Sequence, residues 1–596
     1  MAKKNNPINY TNRDFESIKQ SLVEYARRYY PSNFKDFNES SFGSLMLDTV
    51  AYVGDMLSFY LDYQVNESFI DSASDYDNVV RLARQLGYKL DKAYSSTGLV
   101  SFFLLVPSNT VGGGPDTSYM PKILKGSTVR GSNGSFTLAN DIDFADSDNL
   151  IYPATIDPAT GRPLKYAVKA TGLVVSGENS IQTISIGDFV RFLKIPLDDE
   201  NTTEIISVFD ALGRQYYEVE SLTQDFVYTS VPNPGSDKQL VKEILKPVVV
   251  PRRFTVEKDD NNTYLQFGFG AESELDSDDI VDPSKVSFEM YGKKYISQTS
   301  FDPTKLMSNS KLGIAPSNTT LTVNYRKNST TDSNVPVGGI SSPGNIKYFF
   351  LAEESLDNTK IQEVRDSIEI HNEDPINGDV QNISTDEIRV RALGSYATQG
   401  RAVTKEDYIN LCYRMPPKFG GVKRVSIFQD QDSVKRNLNL YALSEAADGS
   451  LTTANNTIKE NLKTWLQRHK MINDTIDILD AYIINLEIDF VVTGDRQYTP
   501  EQTLTDCLQA LNEKMTVLPE IGEPFKIRDI YKVLNKLDSV LDVVDVQISQ
   551  KTGGVYSNNE YNVALNTTPD GAQLLIPANM IYEIKIPSAN IKGEVR

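Results

Sequence analysis

The chain has 596 residues, with 60 Lys and Arg against 80 Asp and Glu, a net charge of −20, two cysteines, two histidines and one tryptophan. Single hydrophobic cores rarely grow past roughly 250–300 residues, so several domains are expected. An apolar fraction of 40%, with 31 Tyr and 25 Phe, excludes a disordered polyampholyte, and two cysteines exclude a disulfide framework.

The first hundred residues read as helical. Thr11 or Asn12 can cap a helix from Arg13 to Tyr30, with an apolar stripe of Phe15, Ile18, Leu22, Val23 and Tyr25 and a stop at Pro31. A second helix, Ser44 to about Phe69, carries two apolar rows. Met46, Val50, Val53, Leu57 and Tyr60 step by 4-3-4-3, the spacing of a coiled-coil seam, and Leu45, Tyr52, Met56, Phe59 and Tyr63 form another face. A helix with two apolar faces needs neighbours on both, and little nearby sequence is left to supply them, so a bundle completed by other chains is expected. The alternative is an ordinary helix buried in this chain's own domain. A third helix, Asp75 to Leu86, is capped by Ser74 or Asp75 and stopped by Gly87.

From Gly98 the period becomes two. Leu99–Val106 reads as a strand ended by Pro107, and short strands with turn residues follow through Leu321–Tyr325, with an insertion expected at about 150–245. Helical texture returns at Thr385, the candidate cap, and at Thr404, where Thr404-x-x-Asp407 is a capping-box variant. Beyond Gly420-Gly421 the run from Leu438 to Ile548 has β-α-β-β-α-β order with one extra helix, the ferredoxin-like arrangement. In that module Leu486, Ile488 and Phe490 should share a sheet face, opposite Leu504, Leu508 and Leu511. The expected fold is therefore multidomain α+β: a helical head at 1–97, a β-rich domain at 98–345, a connector with helices at 346–421, a ferredoxin-like α+β module at 422–550 and a C-terminal β segment at 551–596.

The inventory of reactive groups is thin. His371, His469, Cys412 and Cys507 stand apart, without ligand spacing for zinc or partners for nucleophilic catalysis. Gly268-Phe-Gly270 lacks the following helix of a phosphate cradle and reads as a glycine-relieved strand or turn. The clusters Asp198-Asp199-Glu200 and Asp276-Ser-Asp278-Asp279 lack the oxygen spacing of a calcium loop and read as solvated loops. No basic run exceeds a pair, so nucleic acid is not an expected partner. The most apolar stretch, Leu45–Leu61, is broken by Asp48 and Asp55, so neither a signal peptide nor a membrane span is expected. The expectation is a protein with no catalytic, cofactor-binding or metal-binding residues.

Several stretches resemble the baseplate J-like family of contractile-tailed bacteriophages, and within it the large wedge subunits of the inner baseplate ring in T-even-type phages. Phe15–Leu22, Asn66–Phe69 and Leu86-Gly-Tyr88 look like the opening helices of those subunits. Pro121–Thr128 resembles a J-like segment, with Ser127 separating the Gly from the Thr, and Asp386–Arg389, Arg401–Tyr408 and Lys418–Val422 match the central signature. The resemblance is specific at about 10–95 and 385–550. It implies a structural protein of the virion tail, assembled in the host cytoplasm, with two copies per wedge. Such a subunit joins another wedge protein through its N-terminal helices, links neighbouring wedges into a ring and transmits conformational change on contraction. A tail-associated carbohydrate-binding or glycan-cleaving protein is the alternative, suggested by the many Tyr residues and acidic clusters on a β-rich scaffold.

Overall fold

The computed structural model describes residues 14–30, 41–89, 94–109, 114–158, 161–199, 201–224, 226–232, 243–258, 262–271, 312–328, 332–351, 353–380, 383–430, 437–515 and 517–596. The expected caps Thr11 and Asn12, the stop at Pro31, and Glu200, Asp276, Asp278 and Asp279 lie outside them. The chain forms two units, Met1–Leu90 with Asn382–Gly400, and Asp91–Gln381 with Arg401–Arg596.

The first unit is helical: α1 (Phe15–Tyr29), α2 (Phe42–Asn66), α3 (Tyr76–Gln85) and a return helix, Thr385–Thr398, which sequence placed in the connector. Ser41, with its side chain accepting from the Ser44 N–H at 3.1 Å, caps α2, and Asp75 caps α3 through the Asp77 N–H at 2.9 Å. Ser384 rather than Thr385 caps the return helix, accepting from the Glu387 N–H at 3.2 Å. Ala73, Val79 and Ala83 pack against Ile388 and Ala392, so α3 is completed by residues three hundred positions away.

The second unit is β-rich. In its first seven-stranded sheet Thr97–Pro107 runs antiparallel to Pro163–Ser176 along its whole length, from Thr97 opposite Val175 to Pro107 opposite Lys165. Val100, Phe102, Leu104 and Val106 alternate into one core, covered in part by Ile361 and Val364 of helix Asn358–Asp366. At Gly177 the chain passes to a second seven-stranded sheet built from strands between Glu178 and Lys327, around Tyr216, Phe254, Phe267 and Tyr325. Of residues 150–245, expected as an insertion, Leu150–Ile156 and Pro163–Ser176 join the first sheet, Glu178–Ile186, Lys194–Pro196, Thr202–Phe209 and Gln215–Glu218 join the second, and Phe226–Pro232 pairs with Glu243–Val249 in a separate two-stranded sheet. Gly268 lies where a Cβ would stand 2.1 Å from the Gly313 carbonyl oxygen, a close backbone approach with no phosphate-cradle geometry.

Two four-stranded sheets follow. Arg424–Gln429, Leu438–Glu445, Leu451–Thr453 and Ile476–Asp480 form one, and Tyr482–Gly494, Val540–Lys551, Met580–Glu583 and Ile591–Val595 form the other. The strands expected to share one ferredoxin-like sheet divide between these two. The cause is local: only Ala481 separates Ile476–Asp480 from Tyr482–Gly494, too little for even a two-residue hairpin turn, so the chain runs on from one sheet into the next. Met580–Glu583 and Ile591–Val595 both pair in parallel with Tyr482–Gly494, making the C-terminal residues part of this core. Leu486, Ile488, Phe490, Cys507 and Leu511 are buried in it, with Leu504 and Leu508 packed at its margin. The buried Arg424 of the first of these two sheets ties it to the loop after helix Pro500–Met515. Its Nε and Nη2 donate to the Pro519 and Leu518 carbonyls, both at 2.9 Å.

A buried polar junction ties the first strand of this unit to later segments. The Ser333 N–H and hydroxyl donate to Asp379 Oδ2 at 3.0 and 2.9 Å, Asn334 Nδ2 donates to the Asp379 carbonyl at 2.8 Å, and the Ser333 and Ser96 hydroxyls lie 2.7 Å apart. Burial pushes the Asp379 carboxyl up to about 7, against the hydrogen bonds from Ser333 and with added repulsion from Asp332 and Glu445.

Candidate assembly interface

The helical head leaves a large apolar surface bare. α1 and α2 pack antiparallel: Ile18, near the start of α1, lies against Gly54, where a Cβ would stand 3.2 Å from Ile18 Cδ1. Ala26 and Tyr30, at its other end, sit beside Phe42 and Met46. The face of α2 turned to α1 is made of small residues at seven-residue spacing, Ser44, Ala51 and Ser58, all buried. Asp48, Asp55 and Asp62 follow the same spacing beside them, and Lys19 Nζ reaches Asp48 at 2.9 Å. These three aspartates are the only charged residues in α2.

The two rows singled out by sequence lie outside that buried run, with Met46 and Val50 bordering Ala26 and Tyr30. Met46, Val50, Val53, Leu57 and Tyr60 are all exposed, Leu57 by 59%. In the second row Leu45, Tyr52 and Met56 are exposed, while Phe59 and Tyr63 are half-buried and stack on each other at 6.4 Å between ring centroids. Monomeric soluble proteins rarely expose so many large apolar side chains on one uncharged helical surface. At one end the surface deepens into an open notch of ≈ 480 Å³ lined by Ala26, Tyr30, Phe42, Gly43, Met46, Leu47 and Val50.

Sequence reasoning missed three parts of the head. Phe42, Leu61 and Val65 extend the bare surface of α2. On the return helix Val390, Leu393 and Tyr396 are exposed opposite the buried Ile388 and Ala392, a two-sided pattern readable from spacing alone. The third is the elbow between α2 and α3. Glu67, only 6% exposed, accepts at Oε1 from the Ser74 N–H and hydroxyl, each at 2.7 Å, and at Oε2 from Asn78 Nδ2 at 2.9 Å. Burial alone would raise its carboxyl, but the hydrogen bonds from Ser74, Asn78 and Asp75 outweigh it and hold the group below its ordinary range.

Asp199 accepts from the Tyr325 hydroxyl and from Lys327 Nζ, the latter at 2.8 Å. Cys412 and Cys507 are fully buried, and burial pushes both thiols up, that of Cys507 to about 11, which suppresses the nucleophilic thiolate. Among the described residues no group of three or more His, Cys, Asp and Glu side chains is placed to hold a metal ion, and no helix is long and apolar enough to cross a membrane.

Residues 14–85 match the family model described as bacteriophage baseplate protein, N-terminal domain. That span runs from the start of α1 to the last residue of α3, so the bare helical surface lies within it. The match supports a baseplate protein; of the segments that resemble the J-like family, Phe15–Leu22 and Asn66–Phe69 lie inside it and the others lie beyond residue 85. No curated protein matches the chain. Among solved structures, a chain of the "Cryo-EM structure of the anti-feeding prophage (AFP) baseplate, 6-fold symmetrised" is similar at 9% identity. The match covers 96% of this chain and 99% of that one, at a TM-score of 0.26, too low to equate the folds.

Proposed function

We propose that this chain is a non-enzymatic structural subunit of a contractile-tail baseplate wedge, of the J-like type. The observation that carries the reading is the uncharged, exposed seam Met46–Val50–Val53–Leu57–Tyr60, on a helix inside the segment that matches baseplate N-terminal domains. A seam of this spacing takes knobs from a facing helix, and one with no charge of its own selects an apolar partner. The partners are a second copy of the chain and another wedge protein, joined through the head. The β-rich unit links neighbouring wedges into the inner ring and carries the conformational change of contraction.

The test is a native-mass measurement of the purified chain alone and after co-expression with the other baseplate proteins of the same particle. Complexes containing two copies of the chain together with a second protein support the reading. A chain that stays monomeric in every co-expression overturns it.

A further inference from the structure

The closely packed helix pairs of the head are α1 with α2 and α3 with the return helix, and the elbow Glu67–Asp75 joins one pair to the other. It is held from two sides. Glu67, the last cap of α2, grips the first turn of α3 through Ser74, Asp75 and Asn78, whose side-chain amide also donates to the Glu67 carbonyl. From the other side Arg389 of the return helix donates Nε to the Ile70 carbonyl at 2.7 Å and Nη2 to the Ala73 carbonyl, while its Nη1 pairs with Asp386. A planar guanidinium offers donors on separate nitrogens in a fixed fork, whereas an ammonium offers its donors from a single point.

α2 has 25 residues, so at 1.5 Å per residue it is a lever about 37 Å long, and a swing of about 10° at the elbow moves its far end by about 6 Å. At Met46 and Val50 the shift is close to one helical turn, enough to take them out of register with the holes of a facing helix, and it falls to about 2 Å at Tyr60. The return helix comes from three hundred residues away, and its arginine reaches the elbow backbone itself.

We infer that Glu67 and Arg389 form a clasp that fixes the direction of the α1–α2 hairpin, and that both act as positioning residues for docking through α2. The inference rests on the docking role proposed above, but its first readout does not. Spin labels at Glu24→Cys and Arg81→Cys, both exposed positions, report the angle between the helix pairs in the full chain, because the native Cys412 and Cys507 are buried. The parent should give one narrow distance distribution. Arg389→Gln should broaden it and lower incorporation into assembled baseplates at least tenfold, with the far-UV helical signal kept. Arg389→Lys keeps the charge and the pairing with Asp386 but loses the two-carbonyl fork, and should fall between; it carries the test if Arg389→Gln loses helical signal. An unchanged distribution in either variant overturns the clasp, and a broadened one with normal incorporation overturns its positioning role. Normal incorporation of Leu57→Asp would instead overturn the docking role and leave the distance result standing.

Discussion

Replacing Leu57 by Asp separates an interface from a core. In the isolated chain Leu57 is 59% exposed, so the new carboxylate stays in water and the change should cost the chain no more than about 0.5 kcal/mol. Docked against a second helix, the same position loses the burial of a leucine, about 1.5–3 kcal/mol, and traps an unpaired charge that costs several kcal/mol more. A combined loss of about 4 kcal/mol lowers an association constant about a thousandfold. The control is Ala51→Asp, on the face turned to α1 with no exposed surface, which should lower the melting transition of the head in the chain alone. Thermal melts followed by far-UV circular dichroism and sedimentation of co-expressed complexes read the two effects. Leu57→Asp should melt as the parent does and fail to associate. A melt lowered as much as that of Ala51→Asp, or association that survives, would refute the argument.

Removing residues 552–596 deletes Leu574, Ile581 and Ile591, all buried, and bares the central strand Tyr482–Gly494; at about 2–5 kcal/mol per large core side chain, the C-terminal sheet should lose its cooperative thermal transition. Gly593→Ala would place a Cβ 2.2 Å from the ring of the buried Phe490, and denaturant titration should show a loss of about 1–3 kcal/mol. Asp379, with a carboxyl raised to about 7 in the folded chain against about 3.9 unfolded, favours folding fully below pH 4 and loses that contribution as pH rises to 7. Asp379→Asn keeps an acceptor for Ser333 without the titration. It should therefore stabilise the chain at pH 8 by up to about 4 kcal/mol and change little at pH 4; equal effects at both would count against the raised carboxyl.

Much of this was written locally in the chain. The 4-3-4-3 row on α2, the alternation from Val100 to Val106 and from Ile484 to Val492, and the Thr404–Asp407 capping box, which forms with both of its reciprocal hydrogen bonds, depend on residues a few positions apart. What was hidden depends on partners far away. The return helix joins α3 through Ile388 and Ala392, and the C-terminal strands insert beside Tyr482–Gly494 after eighty residues of intervening chain. The element order from Leu438 was legible, yet the placement of its strands turned on whether one residue or three separate two of them, finer than strand ends read from alternation allow. In the head the seven-residue run of Ser44, Ala51 and Ser58, the residues of α2 that are buried, was passed over in the sequence. Glu67 and Arg389 lie in Asn66–Phe69 and Asp386–Arg389, segments that carry the resemblance, but their roles were not legible, because a carboxylate or guanidinium bound to backbone groups leaves no periodic trace.

The central claim is that the bare seam of α2 faces another protein chain in the assembled particle. A photo-activatable cross-linking residue at Val53, an exposed mid-seam position, reports its neighbour directly when irradiated in intact baseplates and in the isolated chain. Irradiated baseplates should give adducts to apolar helical residues of a second copy or another baseplate protein, and the isolated chain should give none of them. Adducts confined to residues of the same chain in both samples would contradict the account.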